Sequence, residues 1–202
     1  MQVEMNLDMR RRKASVNLRV YRVLAWAGVA IQVIALIGVL FLERWSGAVS
    51  LMVFLGLSVA FLLSQDRVPS LLDLLVVLAA LVNALGWSFN LFDEFTFYDE
   101  LVHFFAPFAI SATLGYLAWR QGLPGTRPFS APFLTGVTVA GLVLGIVWEV
   151  LELTFVNLTW GDTTVDLVMD TAGAALAGFY VSWLTRKQPS EESDGAEMQK
   201  LV

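Results

Sequence analysis

Six stretches of about twenty mostly apolar residues, spaced along one chain of 202, restrict this sequence more than any other feature in it. A helix needs about 20 such residues to cross a bilayer. The stretches run approximately Arg22–Leu42, Ser46–Ser64, Leu71–Phe92, Leu101–Trp119, Pro132–Leu153 and Val165–Leu184. Bilayer lipid cannot satisfy an open backbone, so the spans must be helices or a closed barrel. A barrel would show alternating segments of about 10 residues, and none is visible. Composition agrees: 57% of the residues are hydrophobic and 15% charged, where soluble domains hold about 45–50% and about 25%. The expected fold is all-α, a polytopic transmembrane bundle of six helices.

Charge then orients the chain. Arg10, Arg11, Arg12, Lys13, Arg19 and Arg22 precede or open the first span; Arg67, Arg120 and Arg127 lie between later spans; Arg186, Lys187 and Lys200 follow the last. With both termini cytoplasmic, every basic residue except Arg44 falls inside, as the positive-inside rule requires. Acidic residues sort the other way, with Glu43, Asp93, Glu94, Asp99, Glu100, Glu149, Glu152, Asp162, Asp166 and Asp170 at or near the outer side. The first apolar run is too long for a secretory h-region and lacks a small-residue cleavage site, so it reads as an uncleaved anchor. The chain divides into a basic cytoplasmic segment (1–21), a transmembrane domain (22–185) and a polar tail (186–202). The basic run Arg10 to Lys13 suits anionic lipid head groups. The formal net charge of −5 argues against a nucleic-acid partner, and a homo-oligomer is left open.

Chemistry has few residue types to draw on. The chain has no Cys and one His, which removes thiolate and multi-histidine sites, so carboxylates and His103 remain. The first two spans carry one strongly polar interior residue, Gln32, and read as scaffold. The later spans differ. In the fourth, Asp99 and His103 are four apart and share a helical face with Ala106, Ile110 and Thr113. Pro107 in the same span cannot bond the carbonyl of His103. In the fifth, Gly141 and Gly145 form a GxxxG pattern, and Gly145, Glu149 and Glu152 fall at about 40°, 80° and 20° from Gly141 around the helix. In the sixth, Asp166 and Asp170 share a face with Gly173, Ala174 and Ala177. Asp170 lies about 8 Å inside that span, where an isolated charge costs about 2.5–3.5 kcal/mol or more. It must be protonated, paired or coordinated.

Three further polar residues stand apart from this pattern. Asn90 is placed near enough to the outer end of the third span to reach the same cluster. Asn83 reads as an interhelical hydrogen-bonding residue, and Asp73 as a carboxylate favoured at a helix start. Asp162, in the loop before the sixth span, is expected to cap that helix or join a rim.

The faces predict a pocket between the fourth, fifth and sixth spans, opening outward and walled by Asp99, His103, Glu149, Glu152, Asp166 and Asp170. Five carboxylates around one imidazole need protons or a cation to balance them. Carboxylate oxygens with one imidazole nitrogen suit Mg²⁺, Mn²⁺, Fe²⁺ or Zn²⁺, and such an ion would serve hydrolysis or transfer on a lipid or envelope substrate. Two alternatives stay open: a proton- or cation-coupled pathway, or a protonated network that fixes helix packing.

The segment from about Phe95 to Tyr180 resembles the YjdF-like inner-membrane family and, more distantly, VanZ-like proteins. The resemblance rests on Tyr98-Asp99-Glu100-Leu101-Val102-His103, on Trp148-Glu149-Val150-Leu151-Glu152, and on Asp162 through Asp166 and Asp170 to Ala174. VanZ-like sequences tend to have Lys, Gln and Asn where this chain has Glu100, Glu152 and Asp170, so the site here is more acidic. The resemblance implies a multi-pass protein of the plasma (inner) membrane and supplies no reaction.

Overall fold

The computed structural model describes residues 2–63, 67–153 and 160–186, with side chains from residue 19 onward. The described residues form α1 (Gln2–Phe41), α2 (Trp45–Leu63), α3 (Ser70–Phe89), α4 (Leu91–Glu94), α5 (Tyr98–Arg120), α6 (Ala131–Glu152) and α7 (Trp160–Thr185), with no strand among them. All but the one-turn α4 are long and apolar enough to cross a membrane, α1 from Arg19 onward. The chain is an all-α bundle of the multi-pass membrane type.

Three boundaries differ from the hydropathy reading, each because a helix outlasts its apolar stretch. α1 runs unbroken from Gln2 through the basic segment into the first span. No Gly or Pro interrupts residues 2–21, so a helix nucleated in the apolar run propagates outward. The fourth span starts at Tyr98 and the sixth at Trp160. Asp162 therefore lies inside the first turn of α7 rather than in a loop, where a carboxylate suits the helix dipole. The side chains of Arg10 to Lys13, and the tail from 187, lie outside the described residues.

The helices group as two trios. α1, α2 and α3 pack on one another, α5, α6 and α7 do the same, and α3 against α5 joins the trios. In the first trio Gln32, fully buried on α1, donates to Ser58 Oγ of α2 at 3.0 Å, the packing role its setting suggested. Ser88 of α3 donates to the carbonyl of Gly47 at 3.0 Å. A side chain at Gly47 would strike the Ser88 backbone at 2.9 Å, so glycine permits this approach.

The second trio closes over an apolar core of Ala112, Tyr116, Phe133, Val137, Ala177 and Val181, with Leu72 from α3. That core occupies the half of the trio away from the acidic residues. Ser130 starts α6, its Oγ accepting from Phe133 N, with Pro132 in the first turn. The start of α5 is pinned to α3 by an aromatic cluster. Phe92 packs edge-on against Trp87 and Tyr98, with ring centroids 5.4 and 5.3 Å away, and Tyr98 donates to the Val82 carbonyl at 2.7 Å. This fixes the turn of α5 that carries Asp99.

Candidate metal centre

Three helices bring their charged ends to one place. Asp99 is the second residue of α5, Glu152 the last of α6, and Asp162 stands in the first turn of α7. Deeper along the same faces come His103, Glu149, Asp166 and Asp170. All four are buried, at 4%, 4%, 4% and 2% exposure. Asp170 is ten residues from the start of α7, about 15 Å along its axis.

Small residues make that depth accessible. A Cβ on Gly145 would stand 2.1 Å from Asp170 Oδ2, so the carboxylate lies directly on the glycine backbone. One turn further, Gly141 meets Ala174 and Ser111 with equal closeness, and Gly173 leaves room for the Phe104 carbonyl of α5. The GxxxG face of α6 and the small face of α7 are thus the seam of the trio. On α5 the matching contacts come from Phe104, Ser111 and Ala112. The stripe through Ala106 and Ile110 faces a cavity.

All five acids of the site read from the sequence gather around the imidazole of the sixth residue, His103. His103 Nδ1 lies 3.2 Å from Asp170 Oδ1 and 3.9 Å from Glu149 Oε1; Nε2 lies 3.5 Å from Asp99 Oδ1 and 4.0 Å from Glu152 Oε2. Asp166 joins through a group with Asp99 and His103 whose ligating atoms all fall within 4.8 Å of one another, and His103, Glu149 and Glu152 form a second such group. An octahedral ion at about 2.1 Å from its ligands spaces neighbouring ligands about 3.0 Å and opposite ones about 4.2 Å apart, so either group would have to draw in around an ion to hold it.

The three helices bring no Lys or Arg to the cluster, whose basic group is His103. α6 and α7 contain no Lys or Arg, and Arg120 of α5 stands at that helix's far end. Neither oxygen of the buried Glu149 accepts a hydrogen bond, and Asp170 Oδ2 is also without one. The Thr163 hydroxyl lies near Glu149 but does not close a bond of ordinary geometry. An unpaired buried carboxylate costs more than any other polar group in this setting.

The pairing at Nδ1 has a chemical consequence. Asp170 on Nδ1, the shortest contact at the ring, orients it with Nε2 toward Asp99 and Glu152. Histidines that bind metals are held in this way by a carboxylate on the opposite nitrogen.

Two expectations need correction. Asn90 does not join the cluster: with φ of 59° it ends α3 in the left-handed region, its N–H donating to the Gly86 carbonyl. Asn and Gly tolerate that conformation best, which explains the residue without a site. Asn83 bonds within its own helix, Nδ2 donating to the Ala79 carbonyl at 3.1 Å, rather than across helices. It faces a cavity of about 280 Å³ that sequence reasoning missed, lined among others by Phe54 of α2, Ile110 of α5, Trp148 of α6 and, on its polar wall, His103 and Asp170. No sequence signal marks such a wall, because an apolar residue facing a groove and one facing lipid look alike. Asp73 sits in the first turn of α3 as expected.

No protein-family model matches this chain, and neither a curated protein nor a solved structure shows significant similarity to it.

Proposed function

We propose that the protein holds a divalent cation, Mg²⁺, Mn²⁺, Fe²⁺ or Zn²⁺, among Asp99, His103, Glu149, Glu152, Asp166 and Asp170, and uses it for hydrolysis or transfer on a lipid or envelope substrate. The observation that carries this reading is the buried Glu149 carboxylate, with no hydrogen bond to either oxygen, beside the chain's single imidazole and four more acids. A cation answers that deficit, and the donor set of oxygens with one nitrogen suits these ions. Within the set, Asp170 orients the imidazole through Nδ1, and Nε2 supplies the nitrogen ligand. Coordination by fewer than six protein atoms leaves positions for water or substrate.

The distribution of basic residues supports an orientation with both termini in the cytoplasm and the acidic end facing outward. A plasma (inner) membrane location follows from the YjdF-like and VanZ-like resemblance of the residues around this pocket.

The test is metal analysis of protein purified without chelator. About one ion per wild-type chain is expected, lost in His103→Ala, Glu149→Ala and Asp166→Ala. Metal-free wild-type protein would overturn the reading. Proton or cation flux in liposomes, abolished by Asp170→Asn, would instead assign the cluster to a transport pathway.

A further inference from the structure

The two helix trios leave a gap on one side of the bundle. Among the described residues α2 and α6 make no backbone approach to one another; the rings of Phe54 and Trp148 face each other across the gap with centroids 6.5 Å apart. Behind those rings lies the cavity of about 280 Å³, whose remaining walls come from α3, α5 and, at Asp170, α7. This is close to the lower bound of about 300 Å³ for small-molecule pockets, and its lining is apolar except at Asn83, His103 and Asp170. Leu57, Ile110, Val147 and Leu151 line it and are also exposed at its mouth. The mouth therefore opens sideways, on the belt of the bundle that spans the bilayer, rather than at an end.

Length identifies what fits. The cavity follows α5 from Val102 to Ile110 and α6 from Leu144 to Leu151, which is about 10–12 Å along the helix axes. Half of a bilayer's hydrocarbon core is about 15 Å thick. The cavity matches one lipid chain in one leaflet, on the half of the bundle that holds the acidic residues. Its polar wall is His103 and Asp170, themselves 4% and 2% exposed.

We propose that the groove between α2 and α6 admits one acyl chain of a membrane phospholipid sideways from the leaflet and sets that lipid's polar end against His103 and Asp170. The inference names the substrate class for the proposed metal centre and rests on that reading for its chemistry, though not for its binding. Lipid tails and the groove wall are equally apolar, so van der Waals packing against that wall is what holds the chain there.

The test uses the full chain in nanodiscs containing a phosphatidylglycerol with a photoactivatable diazirine midway along one acyl chain. Labelled residues are mapped by mass spectrometry, and metal content is measured on the same samples. Ile110, Leu144 and Trp148 are expected to label at least several-fold above Val139 and Val143, which are exposed on α6 and do not line the groove. Ala106→Phe, which fills the groove, and Ile110→Trp, at its mouth, should remove that excess with metal content unchanged. Groove labelling no greater than at Val139 and Val143, or excess labelling that survives both substitutions, would overturn the proposal. Wild-type protein that labels in the groove yet holds no metal would refute the metal centre alone and leave the lipid groove standing.

Discussion

Replacing Gly145 with alanine tests how the site is held open. The added Cβ would stand 2.1 Å from Asp170 Oδ2, 2.8 Å from its Cγ and 3.0 Å from its Cβ. The oxygen alone could swing aside, but the Cβ contact shows that the whole side chain must move, and Asp170 is 2% exposed with little room to do so. Overpacking of this kind costs about 1–3 kcal/mol. The better helix propensity of alanine returns about 0.5–1 kcal/mol. If the carboxylate leaves His103 Nδ1, its hydrogen bond there, about 1.5–3 kcal/mol for a bond to a charged group, is lost as well. The sum is roughly 2–5 kcal/mol of lost stability. Loss of the group that orients the imidazole should also weaken metal binding about 10–100-fold. The assay pairs thermal unfolding in detergent with Mn²⁺ titration followed by electron paramagnetic resonance. Gly136→Ala is the control, since nothing lies within 4 Å of its added Cβ; it should leave Mn²⁺ affinity unchanged and raise stability by no more than the about 0.5–1 kcal/mol of helix propensity. Gly145→Ala protein that matches this control in stability and Mn²⁺ affinity would refute the claim that Gly145 seats Asp170.

Further outcomes follow from the same geometry. Gly173→Ala places a Cβ 2.1 Å from the Phe104 carbonyl oxygen, which is backbone and cannot rotate away, so thermal unfolding should show it destabilised by at least the ~1–3 kcal/mol of overpacking. Gln32→Leu removes one partner of Ser58, but Ser58 still donates to the Phe54 carbonyl at 2.8 Å, so the loss should stay near the average of about 0.6 kcal/mol for interhelical bonds in membranes. Metal ligands must be deprotonated to bind, so uptake should strengthen as pH rises and bound ion should be released on acidification; pH-independent uptake would exclude the carboxylate and imidazole donors.

Much of this arrangement was readable along the chain because it follows from helical geometry. The recurrence of about 100° per residue put Gly141, Gly145, Glu149 and Glu152 on one arc before any helix was placed, and the structure sets that arc against Asp170 and Ala174. Apolar length was enough for six spans, since lipid permits few other solutions. Hydropathy could not mark the ends of α1 and α7, because polar residues such as Arg12 and Asp162 do not stop a helix once it has formed. The roles of Asn83 and Asn90 depended on backbone carbonyls of their own helix, which compete with distant partners for short amide side chains. The groove behind Phe54 and Trp148 is a non-local feature: it exists because α2 and α6 fail to meet, and no local pattern encodes a contact that is absent.

The most direct measurement is equilibrium dialysis of chelator-stripped protein in nanodiscs against Mg²⁺, Mn²⁺, Fe²⁺ and Zn²⁺ in turn. The account predicts saturable uptake of at least one of these ions, approaching one per chain, with Glu149→Ala and His103→Ala each abolishing it. Uptake of none of the four, or equal uptake by the two variants and the wild type, would contradict a metal centre at these residues.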